Sequence, residues 1–570
     1  MSDSVSLQKP SAAPATATRF PPGVKYIIGN EAAERFSFYG MKAILYAHMV
    51  SLYVGFQDKS GLEPSVLAAA EAKATAVTHL FNAGVYAFPM IGAILADRLL
   101  GKFKVIFWIS MLYCVGHAVL SVGDHTALGM YIGLTCIAMG AGGIKPCVSA
   151  NVGDQFTSAN ANLIPKVYQM FYFSINFGSF FSTLLIPWLY KHPALGPKYG
   201  PMIAFAVPGV LMGVATVIFW LGRNRFVKVP PKPGGHLGLL DFIAAVLFFL
   251  PFVALVFARE FIEAAFEGSA IADMLGSVDA ALWTTIGIIT VASLSAGVAV
   301  FTRRQNIEPD PGFLAVMIYS LKNQKLRRPG MGFFDVAKER YGQEGAEGPP
   351  AVLRIMLVFS MVSVFWALFD QHSSTWIKQA GLMNLNVEAF GKTWTLSASQ
   401  IPALNPLMVM MIIPLLNFGV YRPLERAGFN FSPLRRMTAG MFLTAIAFGT
   451  ATWLQAHIES AAPGSVPVSW QIIQYWLMTT AEVLVSATGL EFAYTQAPRA
   501  MKSTIMGFWL LCVTFGNLLV VFLAPLEETL ALSEFFRLFA ILMCFAAALF
   551  AVLAYLYKGK SYLQEAGAAK

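Results

Sequence analysis

Fourteen apolar runs, each about long enough to cross ~30 Å of hydrocarbon as a helix, follow one another between residues 23 and 557. Six lie near 23–55, 75–98, 103–123, 126–150, 163–191 and 200–222, and two near 237–259 and 280–302. Six more lie near 352–382, 396–421, 434–457, 468–495, 503–525 and 533–557. Inside lipid the backbone finds no water, so a spanning segment satisfies its own amides as a helix or within a closed barrel. The runs are continuous and do not alternate with period two, which excludes the barrel. Charged residues make up only 12% of the chain, against about a quarter in soluble proteins, too few to wet a surface of this size. The expected class is an all-α polytopic membrane protein of about fourteen transmembrane helices, in contact with membrane lipid and not an enzyme.

The polar loops alternate in charge. One set carries Arg98, Lys102 and Lys104; Arg223, Arg225 and Lys228; Arg303 and Arg304; Arg422 and Arg426. The opposite set carries Asp58, Glu63, Asp124, Glu388, Glu459, Glu527 and Glu528, with few cations. By the positive-inside bias the basic loops and both termini are cytoplasmic. The net charge of +9 follows from that distribution, and no nucleic-acid partner is expected. The predicted organisation begins with a cytoplasmic tail at 1–22 and a six-helix bundle at 23–222. A linker at 223–350 follows, holding the two additional helices (237–259, 280–302) and a polar cytoplasmic loop from about 304. A second six-helix bundle at 351–557 and a tail at 558–570 complete the chain. The first twenty residues have no apolar core, so no cleavable signal is expected. The five cysteines sit in apolar stretches without metal-ligand spacing, so neither a metal site nor a cofactor is expected.

An ionisable side chain in mid-span costs about 2.5–3.5 kcal/mol on insertion scales unless it is paired or hydrated, so each marks a candidate site. The first run is the richest. Glu31, Glu34, Arg35, Phe38, Tyr39 and Lys42 recur at i, i+3, i+4, i+7, i+8 and i+11, one face of an α-helix. Such a stripe must line a polar cavity or pair within it. His79 and Tyr86 share a face of the second run, Lys145 stands in the fourth and Asn176 in the fifth. In the second half Trp366 and Asp370 are one turn apart, Asn405 follows in the next run, and Glu482 lies deep in the run at 468–495. Buried cations thus cluster in the first half and acids recur in the second. A molecule with a carboxylate at one end and an ammonium at the other suits such a polarised cavity. Plainer roles stay open: a buried ion network fixing helix register for Glu31, Glu34 and Arg35, hydrogen bonding for His79, and core packing for Tyr39, Tyr86 and Trp366.

The loop Gly92-Ala-Ile-Leu-Ala-Asp97-Arg98-Leu-Leu-Gly101-Lys102-Phe-Lys104 is similar to the G-x-x-x-D-R-x-G-R/K pattern of major facilitator transporters, with one extra residue before Gly101. Glu31-x-x-Glu34-Arg35-Phe36, Phe171-Tyr-Phe-Ser-Ile-Asn176 and Gly142-Gly-Ile-Lys145-Pro resemble signatures of the proton-coupled oligopeptide transporter (POT or PTR) family. The two extra helices resemble those of its bacterial members. The resemblance implies a major facilitator fold with substrate held between two six-helix bundles near mid-membrane. It implies a symporter at the cell (inner) membrane that imports di- and tripeptides by alternating access, with protons as the coupling ion. Residue by residue, it implies that Arg35 and Lys145 meet the peptide carboxylate. Asn176, Asn405 and Glu482 would hold the amino end and nearby backbone, while Tyr39, Tyr86 and Trp366 line pockets. Glu31, Glu34, Arg35, His79, Lys145 and Asp370 would carry proton coupling, with Lys42 and Asp370 as a gate pair.

Three positions depart from the family pattern. Phe38 stands where tyrosine is common, Lys42 where arginine is usual, and Asp370 where many bacterial members carry glutamate. The gate therefore loses a bidentate fork. His79 resembles the second-span histidine of mammalian intestinal peptide transporters, and an unperturbed pKa of ~6.5 suits it to pass a proton to Asp370. A carrier of nitrate, a drug or another small anion remains an alternative, as does a sensor without net flux. A membrane hydrolase lacks a visible nucleophile–base pair or an H-E-x-x-H metal set.

Overall fold

The computed structural model describes residues 19–58, 61–157, 160, 163–266, 278–389, 391–429, 431–496 and 501–557. The expected tail at 558–570, and all but the last four residues of 1–22, lie outside these. The first half consists of α1 (Val24–Tyr53), α2 (Pro64–Leu100), α3 (Lys102–Gly123), α4 (Ala127–Asp154), α5 (Ile164–Tyr190) and α6 (Gly196–Leu221). The inserted pair is α7 (Gly235–Phe266) and α8 (Val278–Ile307), followed by the short α9 (Phe313–Lys322). The second half consists of α10 (Gly345–Gly381), α11 (Ala398–Arg426), α12 (Pro433–Ser460), α13 (471–496), α14 (Lys502–Leu523) and α15 (Leu532–Leu556).

Among the described residues, 12 helices are long and apolar enough to cross a membrane. The two long helices that fall outside that set are α1, with Glu31, Glu34, Arg35 and Lys42, and α13, with Gln471, Gln474 and Glu482. Polar content, not length, sets them apart. The helix ends follow local chemistry. Proline opens α2 and α12, where its missing N–H would have had no helical partner. Thr126 Oγ1 accepts from the Gly129 amide at 3.1 Å at the start of α4.

The buried apolar side chains form two clusters, one drawn from residues 24–226 with Ile377, the other from residues 316–550. The protein is therefore two helical bundles, each with its own core, and Tyr86 and Ala398 pack against both. The inserted pair is tied to the first bundle through the D-R loop motif. Arg98 Nη1 lies 2.6 Å from Asp310 Oδ2 and 3.6 Å from Asp241 Oδ2, and the buried Arg304 Nε donates to Asp241 at 2.8 Å. The linker backbone adds Lys232 N to Asp97 O (2.8 Å) and Gly234 N to Arg98 O (3.1 Å).

Three local features differ from the sequence reading. The polar stretch from about 304, expected as a loop, contains α9, which buries Ala315, Val316 and Ser320 on one face. Helix also begins at Lys338, ahead of α10, and is broken at Gly342, whose φ is +73°. A hairpin of β1 (Asn386–Ala389) and β2 (Lys392–Thr395) joins α10 to α11, with Asn386 opposite Thr395. Its strands are four residues long, too short for apolar periodicity to mark.

Candidate functional site

Beside its charged stripe, α1 packs against α5 at glycine distance. A Cβ on Gly178 would stand 2.6 Å from Ala32 O and 3.1 Å from Phe36 N. Arg35 Nε donates to Glu31 Oε1 at 2.7 Å and lies 2.8 Å from Glu34 Oε2, and all three side chains are buried. Two carboxylates therefore share one guanidinium. Lys145 supplies a second cation nearby, with its Nζ 4.4 Å from the Phe38 ring centroid and 4.3 Å from that of Tyr86. The phenylalanine at 38 thus offers a π face where a hydroxyl would have competed for hydrogen bonds. Behind the stripe, Ser37 Oγ and His117 Nε2 are 2.9 Å apart, and Tyr113 stacks on the His117 ring.

A second buried network joins the bundles. Lys42 Nζ donates to Asp370 Oδ1 at 3.1 Å across the interface. Asp370 Oδ2 accepts from Asn517 Nδ2 at 2.8 Å, and Asn517 Oδ1 is 2.7 Å from His79 Nδ1. An amide oxygen only accepts, so in this arrangement His79 carries its proton on Nδ1, and Nε2 accepts from the Ser374 hydroxyl at 2.8 Å. The expected network is thus longer by one residue, since His79 reaches Asp370 through Asn517. Gly516 makes that reach possible: a Cβ there would meet Ser363 O at 2.3 Å, so α14 lies tight against α10. A further cross-bundle cluster sits beside it, where Lys378 Nζ lies 2.9 Å from Glu71 Oε2 and 3.5 Å from Glu527 Oε2.

In the second half Asn405 Nδ2 donates to Glu482 Oε2 at 2.8 Å, with Thr479 Oγ1 at 3.2 Å. Asn405 and Pro406 also line a narrow cleft shared with Tyr39, Lys42, Ser179 and His372. Asn176 is buried, with its amide nitrogen bonded to Tyr172 O at 2.9 Å on its own helix. Trp366 packs among Phe365, Phe369 and Trp509 in the second core, and its indole nitrogen has no hydrogen-bond partner among the described residues. Asn517, Ser374 and the Lys378–Glu71–Glu527 cluster were not singled out in the sequence. Asn517 carried a usable signal, a lone amide within the apolar run of α14. Among the described residues no group of three or more His, Cys, Asp or Glu side chains is placed to hold a metal ion.

The family model described as the POT family matches residues 103–538. This chain belongs to the POT family. It is 31% identical over 488 residues to solute carrier family 15 member 2 of Homo sapiens, covering 83% of this chain and 54% of that protein. It is 31% identical over 449 residues to peptide transporter 3 of Caenorhabditis elegans, covering 77% of this chain and 51% of that protein. The chain thus spans about half the length of the curated relatives it matches. The in meso crystal structure of the POT family transporter PepTSo is 36% identical with a TM-score of 0.71, over 95% of this chain and 99% of that one. That of an auto-inhibited POT family peptide transporter is 32% identical with a TM-score of 0.71, over 96% and 99%. The POT family match begins at α3, so the α1 and α2 residues of the site lie outside the matched segment.

Proposed function

We propose that this POT family protein is a proton-coupled symporter that imports di- and tripeptides by alternating access, with the peptide held as a zwitterion between the bundles. The observation that carries the reading is the polarity of the interface. Arg35 and Lys145 belong to one bundle, the Asn405–Glu482 pair belongs to the other, and Tyr39 lines a cleft with Asn405. A peptide carboxylate would meet Arg35 and Lys145, while its ammonium and adjoining backbone meet Glu482, Asn405 and Asn176. Tyr39, Tyr86 and Trp366 would border the side-chain space. Relatives and neighbours named as peptide transporters support the substrate class.

Proton coupling then follows from competition for cations. Lys42 and Asp370 hold the bundles together as a gate only while Asp370 is a carboxylate. A proton arriving through His79 would leave Nε2 protonated, turn the Ser374 hydroxyl to accept, and give Asp370, across Asn517, a second cation that competes with Lys42. Substrate carboxylate on Arg35 would in turn release Glu31 or Glu34 to take a proton. Protons are the only coupling ion in this scheme, and no cofactor enters it. The protein would lie in the cell (inner) membrane with both termini cytoplasmic, which the basic loops favour.

Uptake of a labelled dipeptide into proteoliposomes, with and without an inward proton gradient, tests the proposal. Accumulation above equilibrium only with the gradient is the expected result, and gradient-independent equilibration would sink the coupling. Blocking either peptide terminus is expected to weaken competition. A carrier of small anions would ignore the amine.

A further inference from the structure

Away from the bundle interface, a cavity of about 420 Å³ opens where α2 gives way to α3, bordered by the end of α4 and by the linker at 228–231. Three cations reach it. Lys102 Nζ is paired with Asp154 Oδ2 at 2.7 Å, Lys228 Nζ stands 4.5 Å from the Phe103 ring centroid, and Lys104 is exposed. Asp154 is the acid on the wall, with Asp97 behind Lys102, so cations exceed acids. The first turn of α3 faces the same space, and no side chain caps it. Surplus lysines at this wall favour an occupant with negative charge.

We propose that this cavity binds the phosphate of an anionic membrane phospholipid. A phosphate diester brings its charge to Lys104 and Lys228. The cavity lies at helix ends, where the apolar runs give way to polar residues. Its rim exposes Leu100 and Val229 beside the cations. Apolar surface next to surplus positive charge at that depth matches an amphiphile, whose acyl chains continue along the rim. Free phosphate would satisfy the donors and leave the rim uncovered. The site is separate from the peptide cleft and does not depend on what the cleft carries.

Native mass spectrometry of the purified full chain, titrated with phosphatidylglycerol or phosphatidylcholine, tests the assignment. The wild type is expected to retain phosphatidylglycerol over phosphatidylcholine, and Lys104→Ala/Lys228→Ala to bind phosphatidylglycerol at least fivefold more weakly with monodisperse elution preserved. Lys104→Arg/Lys228→Arg is expected to keep the preference. If the double alanine variant elutes as aggregate, Lys104→Ala alone, at an exposed position, is expected to show the loss. Unchanged phosphatidylglycerol retention in the alanine variants overturns the site. Displacement of phosphatidylglycerol by inorganic phosphate at equal concentration overturns the lipid and leaves a free-phosphate site.

Discussion

Asn517 separates the histidine from the carboxylate that it would serve. His79 and Asp370 each hold one end of its amide, and Lys42 completes the chain, all within the buried interface. A hydrogen bond from a neutral amide to a buried carboxylate contributes about 1.5–3 kcal/mol, at the low end a factor of ten. Asn517→Ala is therefore expected to lower proton-driven dipeptide uptake about tenfold while counterflow persists. Asp370→Asn is expected to do the same. Because both act on one chain, the double variant should be no worse than the more damaged single one, and additive losses in the two assays would place Asn517 outside the coupling route. The opposite end of the cleft gives a different readout. Glu482 is held by Asn405 and faces the substrate's expected ammonium. In the wild type a free dipeptide should compete for uptake much better than its N-acetylated form. Glu482→Gln is expected to shrink that difference to about twofold or less, the size of a hydrogen bond that has lost its charge assistance. A difference that survives in full would move the amine elsewhere.

At the scale of elements, apolar length and loop charge were enough to place all fourteen long helices to within a few residues at most ends. Lipid imposes one solution on a long apolar run. What was not legible lies where that constraint lapses. α2 starts well before the apolar run at 75 because the alanine-rich stretch from Ala68 to Ala74 is helical without being strongly apolar. The α9 helix and the hairpin lie between spans, where short elements depend on neighbours that sequence does not name. Within the site, the face spacing of α1 located the stripe, and motifs identified its partners in other helices. Contacts such as Asn517 to Asp370 depend on how closely α14 approaches α10, which one glycine governs and no pattern announces. Close approach makes a stability prediction at Gly178. Gly178→Ala is expected to cost about 1–3 kcal/mol through overpacking, read as a lower melting temperature in detergent. Gly449→Ala, where no atom lies within 4 Å of the added Cβ, should cause no loss.

At the scale of the whole molecule, ionic links between the bundles gather at one end. Lys42–Asp370 and Lys378 with Glu71 and Glu527 join opposite halves near the Tyr53 end of α1 and the Pro64 end of α2. The basic loops, expected on the cytoplasmic side, lie at the other end of the same helices. The structure thus has the geometry of a protein closed on the acidic-loop face. Both clusters hold their cations through carboxylates, so their attraction is lost when those groups take protons. Lowering pH on that face should weaken the latch and raising it should strengthen it. Spin labels at Val66 and Leu382, both exposed and on opposite halves near the latch, would report the separation. At neutral pH one short distance should dominate. Acidification should add a population several ångströms longer, and substrate peptide should change its weight. Lys42→Ala/Lys378→Ala should populate the longer distance at neutral pH and remove most of the pH response, because the carboxylates then have no cation to release. A distribution that ignores both pH and the double substitution would mean that apolar packing alone holds this face shut, and the proton would have to act on the Glu31–Glu34–Arg35 cluster instead.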